Sequence, residues 1–499
     1  MDVDLVMPVD VLPVASAKTP SQNLYRQRRR AVGVAGLIVF AFAGWLALEI
    51  PKGILAQTDE LLTAERTREM LMTEPWVVHY NFERSFEKPP LQYWLTSLTL
   101  PRFENRAVAV RIWPLVYASL TAIVLGWLAF LVHPTRPWLI AISVAMLVSC
   151  PLFSTEASRG MLDIGLTFFT TLAIVFSELA RKRPSWWLAV AFVCWLGSLQ
   201  KFPLPFLVWV LIVLVRLTSR DERTRLRGGM VWLIGSMLLA VAAMSIWPLL
   251  QLLKYEMPVW SLYHQEVVVW LGPEGLGRRP YFAVPLGLIL AGGLGGLFLL
   301  LAPFMNLFSK REKSLPAVRE IALVSLAVIA LTIVSNFRGV RYILPILPSL
   351  CFLLALVFYR FLEQGSVVRR RTIIALVLLV SAGLVQAKLQ IVLRQKDVAN
   401  EKVIAEKLGA LQQPGTKTVL IKAIHTGGDL MWDSFYLFHG NFRFPVTKYT
   451  VDEIRSDPPK PPVIGACVAR DFSVVREVYP TVQVQLTRAQ FICWQVDSE

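Results

Sequence analysis

The stretch TDELLTAERTREML places two carboxylates, Asp59 and Glu60, directly after Thr58. Thr58 is of a type that caps a helix, and Asp59 and Glu60 then fall in the first turn, where acids complement the helix dipole. Capping alone accounts for the pattern. A carboxylate at the mouth of a membrane cavity is also able to accept a proton from a hydroxyl nucleophile. Further along, FEKPPLQYW (Phe86 to Trp94) sets Glu87 beside Lys88, ahead of Pro89 and Pro90. The prolines stop any helix through the acid-base pair and start another, with Leu91, Trp94, Leu95 and Leu98 as an apolar stripe. That helix is expected in the membrane interface, anchored by Tyr93 and Trp94. Glu87 and Lys88 are then held at the depth of a lipid phosphate; the alternative is a snorkelling lysine with a local acid partner.

The elements that must hold these residues are membrane spans. Of 499 residues, 55% are hydrophobic and 17% charged, too apolar for a soluble protein of this size. The net charge of +16 does not point to nucleic acid, because the basic residues sit in short clusters between apolar runs. The expected fold is an α-helical polytopic membrane protein of about eleven spans. Its parts are a cytoplasmic tail (1–30), a membrane domain (31–393) with a long first external loop (51–106), and a small extracytoplasmic α/β domain (394–499). The first span, Ala31 to Ile50, reads as a start-transfer anchor rather than a cleaved signal. Basic clusters at Arg28, Arg181 to Arg183, Arg216 to Arg227, Lys310 to Arg319 and Arg369 to Arg371 fall on alternate connections, which puts the N-terminus in the cytoplasm.

That orientation gathers the unusual residues on the external side. Arg159 and Asp163, four apart, are either a helix ion pair or part of a site. Lys201 sits between Gln200 and Phe202 at a span end, where snorkelling is the simple account. Arg338 and Arg341 face outward against the charge rule, which favours a phosphate-binding role. Cys467 and Cys493 are expected on neighbouring strands of the external domain and to pair as a disulfide. The glycine-rich AGGLGGL (Ala291 to Leu297) falls mid-span and reads as helix packing, not as a phosphate loop.

TDELLTAERTREML, WVVHYNFERSFEKPPLQYW and FENRAVAVRIWPL are similar, in order and spacing, to the first external loop of the bacterial lipid A aminoarabinose transferases. Those enzymes belong to the GT-C class, with the protein O-mannosyltransferases. The likeness continues through SRGMLDIGLTFF, SLQKFPLPFL and FRGVRYILPILPSL, and covers little of the C-terminal region. The resemblance implies a glycosyltransferase of a bacterial inner membrane that moves a sugar from a polyprenyl-phosphate donor to an external glycolipid, lipid A being favoured, or to protein. It implies that Asp59, with Glu60 beside it, is the catalytic base, and that Asp163 is a second site carboxylate. Lys88, Lys201, Arg338, Arg341 and Tyr342 would hold the donor phosphate. Glu87 would meet a divalent metal or the acceptor. The family's metal-binding Glu-His pair is matched only by His264 and Glu266, which leaves the metal open. A lipid transporter is the rival reading; the absence of repeated halves and the gathering of charge at one face weigh against it.

Overall fold

The computed structural model describes residues 20–255, 282–291, 296–309, 315–335, 339–364, 385–386, 396–422 and 430–498. Arg338, His264 and Glu266 lie outside them, as do most of the span expected at Thr372 to Val392 and the central glycines of AGGLGGL. The membrane part begins with α1 (Pro20–Glu49) and the loop helices α2 (Thr58–Met72) and α3 (Leu91–Thr99), with a short hairpin, β1 (His79–Tyr80) and β2 (Glu83–Arg84), between them. It continues through α4 (Arg106–Val132), α5 (Trp138–Val148), α6 (Pro151–Ala157), α7 (Asp163–Ala180), α8 (Trp186–Gln200), α9 (Leu204–Leu217), α10 (Arg220–Gly228) and α11 (Met230–Tyr255). Helices Ala283–Ala291, Gly296–Leu307, Pro316–Val334 and Leu347–Gln364 follow, the last entered through a 3₁₀ turn, Val340–Ile346.

Among the described residues six helices are long and apolar enough to span, or seven if a bent pair counts as one. The protein is thus an integral membrane protein, and the count of about eleven is not reached among these residues. The bent pair is α5 and α6, which meet at 68° where one straight span was expected. Pro151 at the start of α6 explains the break, since it has no N–H with which to continue α5. Helices α8 and α9, of 15 and 14 residues, fall short of a full crossing.

Two expectations in the first loop need correction. Thr58 does not cap α2: Gln57 occupies the cap without a side-chain bond, and Thr58 is already helical. On α3 the buried residues are Gln92, Tyr93, Thr96 and Thr99, while Leu98 is exposed. The polar stripe therefore faces inward. Tyr93 is no interfacial anchor; its hydroxyl accepts from Arg66 inside the protein, while Trp94 keeps the expected half-exposed position.

The C-terminal region forms a five-stranded mixed sheet ordered β4-β3-β5-β7-β6. Its strands are β3 (Lys417–Ile421), β4 (Val446–Tyr449), β5 (Val463–Val468), β6 (Gln483–Arg488) and β7 (Phe491–Val496). Strands β4 and β5 run parallel to β3, while β7 is antiparallel to β5 and β6. One face shares a core with the membrane part: Leu55, Leu61, Ala64, Ala107 and Val110 pack with Ile404, Leu408, Phe435, Phe438 and Cys493. The other face holds Cys467 with Val475, Tyr479 and Trp494.

The expected disulfide is thereby ruled out. Cys467 is in register with Ile492, and Cys493 with Ala466. Side chains alternate across a strand, so the one-residue offset sends the two sulfurs to opposite faces. Both thiols are buried and free.

Candidate active site

Helix α2 carries the site's first carboxylate and is almost wholly enclosed. Its buried arginines tolerate burial because each is paired with a carboxylate. Arg66 donates to Glu87 Oε2 at 2.6 Å, and Arg68 donates to Glu65 Oε1 at 2.6 Å and to the Phe442 carbonyl at 2.7 Å. Glu69 accepts from the backbone N–H groups of Asn81 and Phe82 at 2.9 and 2.8 Å. Those two residues have φ of 56° and 65°, a left-handed conformation unfavourable for a bulky phenylalanine, and the Glu69 carboxylate holds them there. Asn81 in turn exchanges two hydrogen bonds with Val446, so the loop is fastened to the C-terminal sheet.

Asp59 lies at the start of this helix and forms an ion pair with Arg341 from the 3₁₀ turn. The Arg341 guanidinium lies 5.3 Å from the centre of the Tyr342 ring, and the Lys201 ammonium lies 5.6 Å from the same ring. Lys201 Nζ then donates to Asp163 Oδ1 at 2.8 Å. Four segments distant in sequence thus converge on one cluster of alternating sign. The outer pair is accessible, with Asp59 41% and Arg341 37% exposed, while Asp163 at 4% is enclosed. Burial raises the Asp59 carboxyl, but Arg341, Lys201 and Lys88 together outweigh it and leave the group below its usual 3.8. Asp59 is therefore an ionised acceptor at neutral pH.

The other expected residues divide. Lys88 lies close enough for its charge to act on Asp59. Glu87 is engaged by Arg66 instead and is half-exposed. The Arg159–Asp163 pair does not form: Arg159 precedes α7 in a turn, so the two do not share a helix face, and Arg159 donates to Glu156 at 2.9 Å. Glu60 faces away from the accessible pair and is 1% exposed. Arg111 donates to both its oxygens, at 2.6 and 3.0 Å, and also to the carbonyls of Ile50 and Lys52. Glu60 further accepts from the Gly160 N–H at 2.9 Å, an approach open only because Gly160 has no Cβ, which would strike Val110 and crowd Glu60 itself. Its role is to fix α2 against α4 and the turn leading to Asp163.

Sequence reading missed Arg111 and the pair Gln92–Gln200, whose amides join at 3.0 Å between α3 and the end of α8. An arginine inside the apolar run AVAVRIWPL was the available signal, since ionisable residues in spans are rarely placed without a partner. Among the described residues, no three His, Cys, Asp or Glu side chains gather as a metal site.

The family described as Dolichyl-phosphate-mannose-protein mannosyltransferase matches residues 60–263. A Pseudomonas fluorescens undecaprenyl phosphate-alpha-4-amino-4-deoxy-L-arabinose arabinosyl transferase is 26% identical over 65% of this chain and 65% of its own length. The Sodalis glossinidius protein of the same name is 33% identical over 32% of this chain and 30% of its own. Matches to these relatives thus span less than two thirds of their lengths. The crystal structure of ArnT from Cupriavidus metallidurans bound to undecaprenyl phosphate aligns over 93% of this chain and 97% of its own, with a TM-score of 0.70 at 16% identity. In sequence this chain is similar to the aminoarabinose transferases and protein mannosyltransferases, and it shares the fold of the former. The GT-C fold extends to a more distant neighbour, the Archaeoglobus fulgidus oligosaccharyltransferase, with a TM-score of 0.56 at 12% identity. The Asp59–Arg341 cluster stands in α2 and the 3₁₀ turn, within the segments that carried the resemblance in sequence.

Proposed function

We propose that the protein is a glycosyltransferase that takes a sugar from a polyprenyl phosphate and delivers it to an external glycolipid, with lipid A as the favoured acceptor. The observation that carries this reading is the accessible Asp59–Arg341 pair, backed by the enclosed Asp163–Lys201 pair. The donor's phosphate is an anion at headgroup depth. Arg341, Lys88 and, by the resemblance, Arg338 neutralise the charge that grows on it as the bond from phosphate oxygen to sugar carbon breaks. Phosphate engagement draws Arg341 off Asp59 and frees the carboxylate to face the acceptor. Asp59 orients the acceptor hydroxyl for attack on the opposite face of the sugar carbon. It takes the proton as the new carbon–oxygen bond forms, and the sugar carbon inverts. Lys201 pairs with Asp163 at 2.8 Å and lies 5.6 Å from the centre of the Tyr342 ring.

A divalent ion at Glu87 would displace Arg66, which already occupies Glu87 Oε2 at 2.6 Å. No step above requires that ion. In the proposed topology the N-terminus is cytoplasmic and the C-terminal domain lies outside an inner membrane. Transfer to protein, as the mannosyltransferase match would suggest, is the second reading. The test is transfer of labelled sugar from undecaprenyl phosphate donors to lipid A or to protein by purified enzyme, wild type against Asp59→Asn. Loss of transfer in a variant that still binds undecaprenyl phosphate supports the reading; equal rates remove Asp59 from the mechanism.

A further inference from the structure

A cavity of about 650 Å³ lies between the loop leading into α2, the start of α4 and the C-terminal domain. No residue of the Asp59–Arg341 cluster lines it. We propose that it receives the part of the acceptor's phosphorylated saccharide headgroup remote from the reacting group at Asp59, an inference that rests on the glycolipid reading above.

Three observations carry it. The first is size: small-molecule sites occupy roughly 300 to 1,000 Å³, so this volume admits a short saccharide but not the acyl chains. The second is chemistry. Glu104 and Arg106 come from one wall, Lys402 and Glu406 from the other, while Ile54, Leu55 and Phe438 supply apolar surface. Each wall offers one cation and one carboxylate. Sugar hydroxyls use donors and acceptors together, the carbon faces of a pyranose lie on apolar side chains, and a phosphate selects the cations. Arg106 uses one donor on the Phe438 carbonyl at 3.3 Å, which aims its guanidinium and leaves others of its five N–H groups for a ligand.

The third observation is position. Arg106 is the first residue of α4, a membrane span, so the cavity sits where a glycolipid exposes its headgroup while its chains stay in the bilayer. The far wall is tied to the catalytic segment. His439 Nε2 meets the Leu55 carbonyl at 2.9 Å, and burial pushes its imidazole down to about 4, so it stays neutral at pH 7 and donates that proton. Leu55 lies four residues before Asp59. Filling the cavity therefore steadies the segment that delivers the proposed base.

The experiment uses the full chain in nanodiscs with lipid A, a bis-phosphorylated acylated disaccharide, and with its dephosphorylated form. Lys402→Glu reverses a charge on a partly exposed side chain that packs into neither core. It is expected to raise KM for lipid A, and the Kd measured without donor, at least about tenfold, with kcat and undecaprenyl phosphate affinity held within about twofold. Lys402→Arg restores binding. Glu104→Lys, on the opposite wall, tightens the phosphorylated form relative to the dephosphorylated one. Unchanged lipid A binding in both charge-reversal variants overturns the proposal. Failure of the glycosyltransferase reading is read separately, as absence of transfer from every donor, and the binding arm still decides the cavity.

Discussion

The Arg111–Glu60 contact offers the sharpest test of how the site is held. Arg111 is 2% and Glu60 1% exposed, and the guanidinium serves four acceptor atoms: both Glu60 oxygens and the carbonyls of Ile50 and Lys52. In Arg111→Met the volume is nearly kept, but Glu60 becomes a buried carboxylate whose remaining bond is from the Gly160 N–H. Removing one partner of a buried ion pair costs about 3–5 kcal/mol. Replacing both partners by apolar groups is close to neutral, so Arg111→Met combined with Glu60→Leu recovers most of that loss, a coupling of at least about 2 kcal/mol. Unfolding in detergent, followed by tryptophan fluorescence, measures all four corners of the cycle. The clamp has a second readout below the unfolding temperature. A displacement of α2 by about 1 Å lowers transfer by about 10²-fold without altering undecaprenyl phosphate binding. Arg111→Met within about 1 kcal/mol of wild type, or a double variant no more stable than the single, would refute this account of the clamp.

Other consequences follow directly. Because Asp59 is held below 3.8, transfer should stay flat from pH 7 down through pH 5, and an acid limb between those values in kcat/KM would contradict its role as base. Burial pushes Glu401 in the C-terminal domain up to about 7, its bonds from Met431 N and Tyr436 Oη pulling only weakly against that. The folded state thus retains this proton after the unfolded state has released it near 4.5, so stability falls by about 3 kcal/mol as pH rises from 4.5 through 7. Glu401→Gln should flatten that slope, as seen in unfolding midpoints across pH. Denaturation without reductant should let a maleimide label both Cys467 and Cys493, read by intact mass; protection of both would restore the disulfide. Lys201→Met strands the enclosed Asp163 carboxylate and should destabilise the protein by about 3 kcal/mol or more, with partial recovery in the double variant with Asp163→Asn.

Legibility in the sequence followed the range of the interactions. Membrane character, the long first loop and the convergence of Asp59, Asp163, Lys201 and Arg341 on one side followed from apolar runs and charge placement. The roles inside that set did not, because they depend on partners far along the chain. Glu60 is indistinguishable from Asp59 until Arg111 is seen to enclose it. Asp163 was read against Arg159, its neighbour in sequence, whereas its partner is Lys201. Periodicity found the stripe on α3 but not its direction, because it cannot tell that the polar face meets Gln200 inside the protein. The cysteine pairing failed for a local reason: adjacency of strands was legible, but the one-residue register that decides the face was not.

The core shared across the C-terminal sheet has a consequence for biosynthesis. Leu55, Leu61, Ala64, Ala107 and Val110 are made early in translation, yet their apolar cover comes from Ile404, Leu408, Phe435 and Phe438, made near its end. During synthesis the first loop waits outside the membrane with an incomplete hydrophobic surface until the last fifth of the chain arrives. A ribosome that stops short releases a protein whose spans have inserted but whose loop stays bare, a ready mark for a quality-control protease. The same logic makes the C-terminal segment a poor candidate for independent life: cut free, it would carry half of an interface and no means of hiding it.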